Sequence, residues 1–188
     1  MQSTLDEQYQ ERVEKFHLLL KALERQILNI SVLRLVVFVL SVILVYSFAR
    51  QGSSPGILPS LGGGIFFFLL LIRMHAGKIE QKELQKAMWI VNKDELTALR
   101  GESGQFYDGE EFCKPGHPYC NDLDLFGRGS IFQFLNRTST LSGRRKLATA
   151  LNQPILENDL IKGKQEAVDE LTKQLEWRQK FKAIGIAY

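Results

Sequence analysis

Cysteine is scarce. Two residues in 188 exclude a scaffold stapled by disulfides. A nucleotide-binding Gly-x-x-x-x-Gly-Lys-Ser/Thr loop is absent, and Gly143-Arg144-Arg145-Lys146 does not replace it, so the chain offers no phosphate cradle of that type. Charge is missing from one block. The 46 residues Ile27 to Ile72 hold two charges, Arg34 and Arg50, while the other 142 hold 43. A mean hydropathy of −0.11 averages over this contrast and hides it. The uneven distribution excludes a single water-soluble globule. An apolar content of 45% and an aromatic content of 10% exclude disorder and a fibrous repeat. A net charge of +3 is too small to argue for nucleic acid by itself.

The uncharged block has the dimensions of a membrane hairpin. A helix needs about 20 mostly apolar residues to cross the hydrocarbon core. Leu28 to Ala49 supplies one span, with Arg34 close enough to its end to snorkel, and Ser53 to Ile72 supplies another. Between them, Arg50-Gln51-Gly52-Ser53-Ser54-Pro55-Gly56 reads as a turn. So short a connection makes the spans antiparallel. Arg12, Lys15, Lys21 and Arg25 precede the pair, and Arg73, Lys78, Lys82 and Lys86 follow it, against Arg50 alone in the turn. The positive-inside rule therefore places both termini in the cytoplasm and the hairpin in the inner (cytoplasmic) membrane. A cleaved signal peptide does not fit, because the apolar run starts late and a second run follows at once. Gly62-Gly63-Gly64 marks a stretch where the spans can touch.

The flanks read as helices. Residues 1–26 form an amphipathic N-terminal segment, with Val13, Phe16, Leu19, Leu20 and Leu23 on one stripe. Residues 73–100 form a juxtamembrane helix whose stripe includes Leu84, Ala87, Met88 and Val91, and Gly101 is placed to end it. Glu83 with Lys86, and Glu80 with Lys82, read as a solvated face. Residues 101–127 are an acidic loop of net charge −5. Asp108-Gly109 leaves room for a short β-ribbon pairing Gln105–Tyr107 with Glu111–Cys113. Cys113, His117 and Cys120 have the residue types of a zinc site, but they amount to three ligands, interrupted by Pro115 and Pro118, with no second Cys-x-x-Cys half. Two reduced cytosolic thiols are the expected state, and no resident metal or cofactor is expected in this chain.

The C-terminal third is patterned as helices. Ser130 is a cap for a short helix with Ile131, Phe134 and Leu135 apolar, and Asn136 to Thr140 breaks it. Thr140 caps a second helix through Leu151 with Leu141, Leu147, Ala148 and Leu151 inward, and Pro154 stops it. Asn158 or Asp159 opens a long helix with Ile161, Val168, Leu171, Leu175, Phe181 and Ile184 on its stripe. The fold class is thus mainly α: a two-span hairpin followed by a cytosolic helical segment.

Gly129-Ser130-Ile131, Leu135-Asn136-Arg137-Thr138, Thr140, Gly143, Arg145-Lys146-Leu147, Pro154 and Ile161 to Leu171 occur in a fixed order. In this order they resemble the entry to the core (lever) domain of the MutS DNA mismatch-repair family, with Lys164 where that pattern has Arg. The likeness covers about residues 122–181. His117-Pro118-Tyr119 and Asp122 to Gly127 look like a membrane-associated branch. The resemblance implies a dimeric, DNA-clamping ATPase that uses ATP and Mg in a domain beyond residues 128–188, which read as the start of the core. It also implies a chain that is an N-terminal fragment. The family's Phe-x-Glu mismatch reader has no counterpart, because no phenylalanine has Glu two residues on. Arg137, Arg144, Arg145 and Lys146 are the candidates for DNA phosphate contact; the competing assignment is internal pairing. Two other functions compete: a membrane scaffold that binds a protein partner, and a metal-dependent enzyme built on Cys113, His117 and Cys120.

Overall fold

The structure is a computed structural model that describes every residue except Met1, Ser53, Pro115, Pro118 and Pro154, with Gln2, Ser3 and Ser54 described by backbone only. The readings of Ser53 as the start of a span, of Pro115 and Pro118 between candidate ligands, and of Pro154 as a helix stop lie outside the described residues. The element order is α1 (Gln2–Arg50), α2 (Ser54–Leu99), a 3-10 turn (Glu110–Phe112), α3 (Ile131–Leu135), α4 (Leu141–Asn152), α5 (Asn158–Thr172) and α6 (Leu175–Ala187). No strand occurs among the described residues, so the expected β-ribbon is replaced by the 3-10 turn. The backbone at Gly109 is left-handed (φ +70°), and the turn at Glu110–Phe112 follows it directly.

The chain divides into two compact units. The first, Lys15–Lys86, is a helical hairpin. Glu24 pairs with Lys82 at 3.2 Å, Ser31 Oγ lies 3.2 Å from His75 Nε2, and Gly64 faces Ser41. The numbers fall along α2 as they rise along α1, which is an antiparallel register. Lys82 is therefore an interhelical partner and not part of a free solvated face. A Cβ at Gly64 would come within 2.8 Å of Ser41 Cβ, whereas Gly62 and Gly63 have open space. The helices approach at one glycine of the three. Arg34 stands 5.9 Å from the Phe68 ring. Leu35, Phe38, Val42, Ile65, Phe66 and Leu69 are exposed, and both α1 and α2 are long and apolar enough to cross a membrane.

The second unit comprises Met1–Glu14 and Ala87–Tyr188. Its aromatic core joins Phe112, Phe126 and Phe132, whose ring centroids lie 5.3–6.1 Å apart. Phe132 is completely buried. A Cβ on Gly109 would meet its ring at 2.6 Å, so this position needs both the left-handed backbone and the missing side chain. A polar seam runs beside the core. Arg12 Nε donates to Gln179 Oε1 (3.0 Å), Gln179 Nε2 to Asn92 Oδ1 (2.7 Å), and Asn92 Nδ2 to the Met88 carbonyl (2.8 Å). Gly101 ends α2: its N–H donates to Ala98 O and that of Glu102 to Thr97 O.

Both expected caps form. Ser130 accepts from the Gln133 amide and Thr140 from that of Gly143, each at 3.1 Å. Of the inward set on α4, Ala148 is buried, but Leu141 is exposed. The expected single helix after Asn158 is two. Lys173 and Gln174 separate α5 from α6, and Arg178 Nη2 donates to the Thr172 carbonyl at the break (3.4 Å). No residue of α5 is buried. Val168, Phe181 and Ile184 of the apolar stripe are exposed; Gln179 and Ala183 are the buried residues of α6.

Candidate functional site

The four basic residues singled out in the sequence divide into two pairs. Arg137 follows the break after α3, where Asn136 Oδ1 accepts from both the amide and the hydroxyl of Thr138 and fixes the turn. Its Nε donates to Glu95 Oε1 at 2.6 Å, its Nη1 to the Phe134 carbonyl at 2.7 Å, and its guanidinium lies 3.7 Å from the Phe106 ring centroid. Arg144, in the first turn of α4, sits 4.7 Å over Tyr107. Tyr107 in turn donates to Glu111 Oε1 at 2.5 Å, a bond that holds its hydroxyl pKa up. Arg145 and Lys146 are exposed on α4.

Glu95 is the hub of the internal pair. Lys182 Nζ lies 3.9 Å from it and 4.9 Å from the same Phe106 ring. Burial pushes the Lys182 ammonium pKa down, Glu95 opposes that shift, and Arg137 adds to it. Burial likewise raises Asp94 and Tyr9, with Glu95 adding to both. Phe106 is held by Gln133 Nε2, which donates to its carbonyl (2.8 Å). The sequence reading missed Glu95, Phe106 and Tyr107. The available signal was an aromatic pair inside an otherwise polar loop.

The metal-type residues come together as something else. A disulfide joins Cys113 to Cys120, which corrects the expectation of two free thiols. The two are seven residues apart, with a Cα separation of 6.2 Å. The bond uses both sulfurs that a metal would need. His117 packs edge-on against Tyr119, with Nε2 3.4 Å from the Asn152 carbonyl.

This geometry lies at the front of a recognisable segment. Residues 120–185 match the family model of MutS domain III. The match covers just over a third of the chain and gives that part a MutS-like, mismatch-repair-related character. No curated protein and no solved structure matches the chain. The domain III segment includes both capped helices, α5, the Arg137 turn, all four candidate cations and Gln179. Glu95 and Phe106, which engage Arg137, precede it.

Proposed function

We propose that this chain anchors a MutS-like protein at the cytoplasmic membrane. The two spans, about residues 28–49 and 53–72, cross the bilayer as a hairpin. Both ends stay cytoplasmic because basic residues flank the spans. The domain III segment is the start of a lever toward an ATPase of the full-length protein, a homodimer that uses ATP and Mg. The observation that carries this reading is the presence, in one chain, of two helices of spanning length and a domain III match. Within this chain, Arg145 and Lys146 are the DNA-facing cations, because Arg137 is engaged by Glu95 and Arg144 by Tyr107.

Two measurements test the proposal. Alkaline carbonate should leave the chain in the membrane pellet; release into the supernatant would remove the anchor. DNA affinity of the detergent-solubilised chain should fall as salt rises, with the log–log slope reduced by about one for each of Arg145→Ala and Lys146→Ala. No binding, or a slope near zero, would favour a scaffold that binds protein. One observation favours that second reading: Val168, Trp177, Phe181 and Ile184 leave an apolar surface exposed on α5 and α6.

A further inference from the structure

We propose that Cys113 and Cys120 are a reversible thiol–disulfide switch that sets how His117 and Tyr119 are held against the C-terminal end of α4. These are the two cysteines of the chain, and their bond closes a ring of eight residues. The ring supplies what the end of α4 lacks. Asn152 is the last residue of that helix, and its carbonyl has no partner within the helix. Tyr119 Oη donates to that carbonyl at 2.7 Å, and His117 Nε2 sits 3.4 Å from it. Asn152 Nδ2 returns a bond to the Phe112 carbonyl at 3.4 Å, just ahead of the ring.

Both ends of the ring are anchored independently of the sulfur bond. Phe112 packs on Phe126 and Phe132, and the Cys120 carbonyl accepts from the Leu125 amide at 3.0 Å. Opening the bond therefore frees His117 and Tyr119 and leaves the aromatic core in place. The two sulfurs differ in access: Cys113 is half-buried, whereas Cys120 is 2% exposed. Asn121 Oδ1 lies 3.4 Å from Cys113 Sγ, placed to accept from the thiol once the bond is reduced.

The chemistry is thiol–disulfide exchange with a low-molecular-weight disulfide such as oxidised glutathione. In the reduced protein, the Cys113 thiolate attacks one sulfur of oxidised glutathione, forms a mixed disulfide and expels one glutathione thiolate, which takes up a proton. Cys120 loses its proton to solvent and attacks Cys113 Sγ, closing the ring and expelling the second glutathione. Two electrons pass from the cysteine pair to the glutathione disulfide. Reversal by reduced glutathione opens the ring. That the switch faces a reducing compartment rests on the proposed cytoplasmic topology; the exchange itself does not.

The test equilibrates the detergent-solubilised full chain over mixtures of reduced and oxidised glutathione, quenches with acid, and counts thiols with a polyethylene-glycol maleimide. Species with two labels should convert to species with none as the mixture becomes oxidising. Reduction should raise hydrogen exchange by about ten-fold at 116–120 and 151–153 while leaving 130–136 unchanged. Cys113→Ser with Cys120→Ser should give the reduced pattern at every ratio and stay folded. The proposal is overturned by two labels throughout, by no labels even in millimolar reduced glutathione, by a disulfide between chains on a non-reducing gel, or by exchange that ignores the redox state. A membrane-impermeant maleimide applied to intact, reduced spheroplasts separates the two ideas. Labelling without permeabilisation would overturn the cytoplasmic placement, while the titration alone judges the switch.

Discussion

One site in each unit treats phenylalanine in an opposite way. In residues 15–86, Phe38, Phe66 and Phe67 point outward, and polar pairs such as Ser31–His75 and Glu24–Lys82 lie between the helices. Around α3, Phe132 is sealed from solvent, and cations cover the faces of Phe106 and Tyr107. The same α-helical backbone serves both. The difference is burial: Phe132 is sealed among other rings, whereas the outward rings of α1 and α2 depend on whatever surrounds those helices.

The largest effect should come from crossing that contrast. Phe132→Ala removes a completely buried ring from the aromatic core and should cost about 3–5 kcal/mol. Phe66→Ala truncates a ring of the same size that is 64% exposed and should shift stability in detergent by under about 1 kcal/mol. Thermal unfolding followed by near-ultraviolet dichroism reads both. Equal losses would remove the distinction between the two units.

Next in size is the hub. Glu95→Gln leaves Arg137 and Lys182 facing each other around Phe106 without their carboxylate and should cost about 1–3 kcal/mol. Lys182→Met in that background should recover part of the loss, because burial already disfavours the ammonium there. The sign is checkable by pH. Lys182 binds its proton less tightly folded than unfolded, so its burial penalty eases as pH rises from the lowered folded value toward 10.5. Removing Glu95 lowers the folded Lys182 value further, so the Glu95→Gln deficit should shrink as pH rises from the variant's folded value to the parent's. A deficit constant in pH would mean that Lys182 plays no part in it.

A smaller effect tests what was most local. Thr140→Ala removes the side-chain cap of α4 and should cost about 1 kcal/mol, and Ser130→Ala should cost a similar amount at α3. Urea unfolding with unchanged m-value measures it. These caps were legible in the sequence because a cap acts over three residues. The hairpin was legible for a related reason: run length and turn composition are written along the chain. The role of Arg137 was not legible. Its partners Glu95 and Phe106 lie 42 and 31 residues earlier, beyond any helical or strand period. The break at Lys173–Gln174 carries neither proline nor glycine. It becomes visible only because α6 is held through Gln179 and Ala183 while α5 buries nothing. The disulfide was not legible, because an expected compartment says nothing of the 6.2 Å Cα separation that lets the two sulfurs bond.

The smallest effect lies at Asp94, a partly buried carboxyl. Burial raises the Asp94 carboxyl above its ordinary value of 3.8; Lys182 partly opposes this and Glu95 adds to it. The folded chain therefore holds that proton more tightly than the unfolded chain does. The resulting stability is complete below pH 3.8 and is lost as pH rises through the folded value. Asp94→Asn keeps the backbone carbonyl that accepts from Gln105 Nε2 and removes only the carboxylate. It should stabilise the chain by under about 1 kcal/mol at neutral pH, since the group is half exposed to screening solvent. The gain should vanish when melting is repeated below the ordinary carboxylate range. A variant less stable than its parent at neutral pH would mean that attraction to Lys182 outweighs burial, and Asp94 would then join Glu95 as a stabilising anion of the cluster.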